Sequence, residues 1–315
     1  MASPELHPTF GTDLREPVDE DENSVHYLAR QSIFQLWAYC KKCKQSGYGT
    51  CFLLQDLNKD CDEDYMYFAT AAHNLYCLTF PKVQQNDLGC NQYRSVRIIE
   101  RWNQSEDGPE AVYLTKSIGN NTMNTKMFGW LKVSESYEVH AKYVGFQQIR
   151  DKVDAHTATL HRFTYDFGVI AARKREFCDI KPSILPSPYF QIPMFAGVVE
   201  KEESAYLCGF PGEIGETAAE IRGKYWVKSP SLVAPVPGME TLLKHYVDTS
   251  RGQSGSPLYK SSSESGEDPS VLGIHVGGIS HNPADRHNVA VRLSPNSEAL
   301  TDLRSWVKRS PHSSE

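Results

Sequence analysis

Twelve short runs rich in β-branched and aromatic residues recur along the chain, each bounded by polar turn residues: GTCFLLQ, MYFATAA, SVRIIERW, AVYLTK, YEVHAKYVGF and FGVIAA, then AYLCGF, GKYWVKS, LLKHYV, SPLYK, VLGIHVGG and NVAVRL. Runs of this kind are the strands of an all-β barrel or sandwich. Between the two groups lies DIKPSILPSPYFQIP, with four prolines from Asp179 to Pro193, a composition that suits neither helix nor central strand. It reads as a connection with six strands on either side. After the last strand, SPNSEALTDLRSWVKR opens on Ser294-Pro295, suited to a helix cap and first position, and Ala299, Leu303, Trp306 and Val307 recur at helical spacing. A C-terminal helix docked on the second group of strands is expected there.

The 315 residues give length for one large β-domain or two smaller units. The first 24 residues are acidic, polar and proline-containing, with too little apolar surface to offset the entropy of ordering them, so a flexible tail is expected. They also lack the basic start and apolar core of a secretory signal, from which an intracellular protein is expected, secretion being the alternative. A net charge of −6 offers no electrostatic footprint for nucleic acid. No apolar run approaches the length of a membrane span. A monomer without a cofactor is the expectation.

The stretch DTSRGQSGSPLY, Asp248 to Tyr259, sets Ser254 among glycines that let the backbone approach a ligand. Such letters also make a plain turn. The nucleophile elbow of the α/β-hydrolases is excluded, because its final glycine is here Ser256. A serine hydroxyl attacks only when a base takes its proton and a third group orients that base. The base candidate is His73, which follows the run Tyr65 to Thr70 with two small alanines before it. The acid candidate is Asp166, leading directly into the apolar run FGVIAA. Each residue alone fits a bland structural role. Together they run His73, Asp166, Ser254, with separations of 93 and 88 positions, and that order is used by the chymotrypsin architecture.

In TAAH, YDFGVI and GQSGSP the chain resembles the trypsin/chymotrypsin-like serine endopeptidases. LCGFPGE, VDTSRGQSGSPLY and VLGIHVGG look like a closer branch, the bacterial glutamyl endopeptidases, which cut after acidic residues. The resemblance implies two six-stranded antiparallel β-barrels with a C-terminal helix. The expected division is a tail at 1–30, a first barrel at 31–178 with His73 and Asp166, a linker at 179–195, a second barrel with Ser254 and the helix at 196–308, and a disordered end at 309–315. It implies a peptide or protein substrate, an oxyanion hole made by the N–H groups of Gly252 and Ser254, and substrate backbone pairing at Val276 and Gly278. Thr249 and His275 match the positions that recognise glutamate. Arg251, three residues before the nucleophile, is a further candidate at the pocket rim.

Three departures stand out. Gln253 occupies the place where trypsin-like zymogens carry an aspartate that binds the amine freed by cleavage, so that activation is not available. Asn74 stands where the trypsin pattern has a cysteine directly after the histidine. Asp248 lies six residues before Ser254, where trypsin places the carboxylate that binds Lys or Arg, so cleavage after basic residues is the rival reading. A catalytically inactive binding module on the same fold is a further alternative. Of eight cysteines, six fall between Cys40 and Cys90. CKKC at Cys40 and Cys43 could begin a zinc site, but no second CxxC or HxxxH pair completes it, so reduced, partly buried thiols and no metal are expected.

Overall fold

The run YMYFAT, residues 65–70, divides its side chains between two cores. All six residues are buried; Tyr65, Tyr67 and Ala69 join one apolar cluster, while Met66 and Phe68 join another. A strand's period of two sends alternate residues to opposite faces, so a strand this apolar must be covered on both. The computed structural model describes residues 16–17, 26, 29, 32–54, 65–79, 90–99, 129–137, 160, 163–173, 203–211, 226–227, 231–260, 270–279 and 286–308. The linker at 179–195, the run AVYLTK, most of YEVHAKYVGF and the end at 309–315 lie outside the described residues.

In chain order the strands are β1 (Glu16–Pro17), β2 (Ile33–Cys40), β3 (Gln45–Leu53), β4 (Tyr65–Thr70), β5 (Tyr76–Thr79), β6 (Cys90–Tyr93), β7 (Ser95–Ile99), β8 (Gly129–Val133), β9 (Gly168–Arg173), β10 (Glu203–Gly209), β11 (Trp226–Val227), β12 (Ser231–Val236), β13 (Met239–His245), β14 (Pro257–Lys260), β15 (Ser270–Ile279) and β16 (His287–Arg292). Two helices matter for the site: α1 (Ala72–Leu75) and α2 (Glu298–Lys308).

The first six-stranded sheet runs β7-β2-β3-β4-β9-β8, every pair antiparallel. The second closes on itself: β10, β12, β13, β16, β15 and β14 pair in turn, and Tyr206↔Tyr259 and Leu207↔Leu258 join β14 back to β10. Closure leaves no open edge in this ring. Its interior holds Ala205, Leu207, Val233, Leu243, Val247, Leu258, Leu272 and Ala290. The fold is thus two curled antiparallel sheets, as the strand pattern implies. The larger apolar cluster joins residues of both, Tyr67 and Val169 from the first sheet and Ile274 and Val291 from the second.

The sequence reading omits β1, β2, β5, β6, β8 and β12. β12 contains Pro235, which weighs against a central strand. Here the ladder to β10 spans Ser231 to Val233 only, and the pairing with β13 shifts register between Pro235 and Val236, so the missing N–H falls at a bulge.

Helix α2 starts later than Ser294-Pro295 suggests. Those residues open a turn in which the Ser297 N–H donates to the Ser294 carbonyl at 2.9 Å, a usual place for proline. The cap is Ser297, whose hydroxyl oxygen accepts the Leu300 N–H at 3.3 Å. The stripe Ala299, Leu303, Trp306 and Val307 is buried, and Trp306 stacks on Phe167 with ring centroids 5.8 Å apart. Phe167 follows Asp166, so α2 packs against the first half as well as the second.

Within the stretch expected to be a flexible tail, Glu16 and Pro17 pair with Val227 and Trp226, His26 Nδ1 lies 2.8 Å from the Tyr259 hydroxyl, and Ala29 is buried. Local composition carries no sign of these long-range partners.

Candidate active site

His73 is positioned by the four-residue helix α1, which leaves the end of β4 after Ala71 and passes directly into β5. Asp166 precedes β9, the neighbour of β4, and is fully buried. Its two carboxylate oxygens take separate donors from one residue: Oδ1 accepts the His73 backbone N–H at 2.9 Å and Oδ2 lies 2.7 Å from His73 Nδ1. A carboxylate only accepts, so Nδ1 carries the proton and Nε2 is left as the basic nitrogen.

Ser254 lies in the loop between β13 and β14, nearly buried. Its carbonyl oxygen accepts from the Asn74 side-chain amide at 2.8 Å and from the Thr50 N–H at 2.9 Å. Asn74 follows His73, so the clamp ties the serine loop of one sheet to the histidine helix of the other. The position that departs from the trypsin cysteine thus carries a hydrogen-bonded tie. Thr50 strengthens it: its hydroxyl donates to the Gly252 carbonyl at 2.9 Å and accepts the Phe210 N–H at 3.2 Å. Sequence reasoning missed Thr50, because a threonine inside a strand is what β propensity alone would place there.

The loop's N–H groups divide into two sets. Those of Gln253, Gly255 and Ser256 are taken by the carbonyls of Ser250, His275 and Gln253. Those of Gly252 and Ser254 meet no backbone acceptor among the described residues. Gly252 has φ 94 and Gly255 φ 90, backbone that side chains resist. A Cβ at Gly255 would collide with the Thr50 carbonyl oxygen and the Thr70 hydroxyl.

The remaining predicted residues fall as follows. Asp248, Thr249, His275 and Val276 are buried, Gly278 is half-buried and Arg251 is exposed. The Thr249 hydroxyl, fully enclosed, has no hydrogen-bond partner among the described residues. His275 Nδ1 lies 3.1 Å from His245 Nε2. Burial, then the nearby His287, pushes His245 down to about 3, so it is neutral at physiological pH. Val276 sits at a bulge between His275 and Gly277 in the pairing with β16. Gln253 accepts the Ser250 N–H through its side-chain oxygen at 2.8 Å, bracing the loop from within.

The cysteines form a second constellation. Cys40, Cys43, Cys77 and Cys90 have their sulfurs within 4.8 Å of one another. Burial opposes ionisation of Cys40, but hydrogen bonds from the Cys43 N–H, Gln92 and the neighbouring thiols outweigh it and bring the thiol down to about 6. Cys90 is pushed up, by burial first. The second cysteine pair that the sequence seemed to lack comes from two residues thirteen positions apart on a hairpin.

On the catalytic reading proposed below, Asn74→Ala is expected to lower kcat on a peptide substrate by about 10- to 100-fold while leaving KM within a few-fold, since misplacing a reacting group by about 1 Å can cost 100-fold. Steady-state kinetics beside a thermal melt check it; an unchanged kcat would confine Asn74 to packing.

No protein-family model matches the chain, and no curated protein matches it in sequence. Solved structures do. The thermostable serine protease AL20 from an extremophilic microorganism is similar at a TM-score of 0.53 and 10% identity, over 90% of this chain and 99% of that one. The protease Anisep from Arthrobacter nicotinovorans is similar at 0.52 and 8% identity, over 88% and 96%. A Glu endopeptidase gives 0.49 and 12% identity, over 96% and 99%. Two curled antiparallel sheets, a His-Asp pair carried by the first and a glycine-flanked serine loop carried by the second therefore belong to a chain with the fold of the chymotrypsin-like serine proteases.

Proposed function

We propose that the protein is a serine endopeptidase working through His73, Asp166 and Ser254, and that it cuts after glutamate or aspartate. The observation that carries the first part is the two-pronged grip of Asp166 on His73, next to the clamp between Asn74 and Ser254. In this reading the Ser254 oxygen attacks the substrate carbonyl as its proton passes to His73 Nε2. The N–H groups of Gly252 and Ser254 hold the oxyanion. Collapse breaks the peptide bond, the same proton leaves with the amine, and water then releases the acyl group by the reverse roles. Val276 and Gly278 would pair with the extended substrate as an added strand.

Specificity for an acidic residue draws its support from Thr249 and His275. A carboxylate entering a buried pocket loses its hydration and needs donors in exchange. The Thr249 hydroxyl is such a donor, enclosed without a partner among the described residues. His275 supplies the other, and the exposed Arg251 lends positive charge only at the rim. Asp248, buried immediately before Thr249, is what the rival reading requires for cleavage after Lys or Arg.

A panel of peptides differing only in the residue before the scissile bond tests both parts. Preferred cutting after Glu supports the proposal, preference for Lys or Arg assigns the pocket to Asp248, and no turnover by a folded sample makes the chain a binding module. Thr249→Val should lower kcat/KM for the Glu peptide about 10- to 100-fold, as losing a hydrogen bond to a charged group costs about 1.5 to 3 kcal/mol. Stability should stay level or rise, because the substitution removes an unpartnered buried hydroxyl. Equal loss on Glu and neutral peptides would remove Thr249 from recognition.

A further inference from the structure

Four sulfurs meet where two hairpins approach. Cys40 ends β2 and Cys43 lies in the turn to β3, while Cys77 sits in β5 and Cys90 opens β6. The register Cys77↔Gln92 and Thr79↔Cys90 sets the last two diagonally across the paired strands, on the same face. Cys40 and Cys90 are 3.4 Å apart at sulfur, Cys43 and Cys77 3.8 Å. A tetrahedron of thiolates about 2.3 Å from a zinc ion has edges of about 3.8 Å. Two opposite edges of the sulfur cluster stand at nearly that spacing, and all four sulfurs lie within 4.8 Å of one another.

Two further features belong to such a site. Lys44 is the one non-glycine residue with positive φ among the described residues, at 56°, directly after Cys43. A left-handed residue there turns the chain sharply and is an unfavoured conformation that its surroundings must hold. Next, the Cys43 N–H and the Gln92 amide both donate to Cys40 sulfur at 3.4 Å. N–H donors around thiolates offset charge that a dry cysteine cluster could not otherwise hold.

We propose that Cys40, Cys43, Cys77 and Cys90 bind one zinc ion that fastens the β2–β3 turn to the β5–β6 hairpin. Four protein ligands leave no open position for water, so the site is structural. Binding forms four zinc–sulfur bonds and releases the thiol protons to solvent. The hairpin it holds begins at Tyr76, three residues beyond His73, so the ion braces the segment through which α1 leaves the site.

The test is the metal content of the full chain, purified under reducing conditions without added metal and measured by plasma mass spectrometry. About one zinc per chain is expected, with Cys43→Ser and Cys90→Ser losing it and Cys208→Ala keeping it. Because the serine variants could fail to fold, the unmodified chain is also stripped of metal and titrated with cobalt(II). An intense sulfur-to-cobalt charge-transfer band with a tetrahedral spectrum is the supporting result, and chelation should lower Tm by on the order of 10 °C. Zinc-free protein that takes up neither metal, iron in place of zinc, or disulfides joining these four cysteines in non-reducing peptide maps would each overturn the proposal.

Discussion

Ser254→Ala is expected to lower kcat on a cleavable peptide by roughly 10⁵- to 10⁶-fold while leaving the fold intact. The hydroxyl is the one atom group removed, and the contacts that hold the loop do not involve it: Ser254 is anchored through its carbonyl oxygen to Asn74 and Thr50, and its neighbour Gly255 donates to the His275 carbonyl at 2.7 Å. The thermal melt should therefore overlay that of the unmodified protein. Residual hydrolysis above the rate in water is expected from the N–H groups of Gly252 and Ser254, which the substitution leaves in place. A fluorophosphonate probe should label the parent and not the variant. Comparable turnover by a freshly purified variant would remove Ser254 from the mechanism. The double variant His73→Ala, Ser254→Ala should be little worse than either single one, because residues acting as one unit lose activity once.

The strand pattern and the order of His73, Asp166 and Ser254 were legible because each is carried by local sequence. Apolar runs with polar turns mark strands wherever they pair, and the glycines around Ser254 answer a backbone need that lies in the loop itself, seen at Gly252 and Gly255. What stayed hidden depends on register. Cys77 and Cys90 stand alone in sequence, and only the pairing of β5 with β6 joins them to Cys40 and Cys43. Thr50 contributes through three different groups to residues around positions 70, 210 and 252 to 254, contacts that a single strand residue does not announce. β2 was passed over because Gln35, Ala38 and Cys40 dilute its β signal, yet pairing on both sides with β3 and β7 makes it a central strand. Specificity was least legible of all. Asp248 and Thr249 are adjacent and both buried, and neither residue type nor spacing says which of them would meet a substrate side chain.

Asp166→Asn is expected to lower kcat by about 10⁴-fold with little change in fold, through the tautomer of His73. The present carboxylate accepts twice, from the His73 backbone N–H at 2.9 Å and from Nδ1 at 2.7 Å. Asparagine has a single acceptor oxygen. If that oxygen keeps the backbone N–H, the amide nitrogen faces Nδ1 and donates to it, the ring proton moves to Nε2, and His73 can no longer take a proton from Ser254. If the amide flips, Nδ1 keeps its proton but a backbone N–H is left against an NH₂ group, and a buried donor without a partner costs about 1 to 3 kcal/mol. The first arrangement is therefore favoured, and the loss falls on kcat more than on KM. Asp166→Ala discriminates further: it removes the grip on the backbone as well, so it should melt at a lower temperature than Asp166→Asn while being no better a catalyst. Steady-state kinetics on one peptide, with melts of all three proteins, read both quantities. An asparagine variant retaining a tenth or more of the parent kcat would show that His73 needs no orienting acid and would leave Asp166 as a support for helix α1 alone.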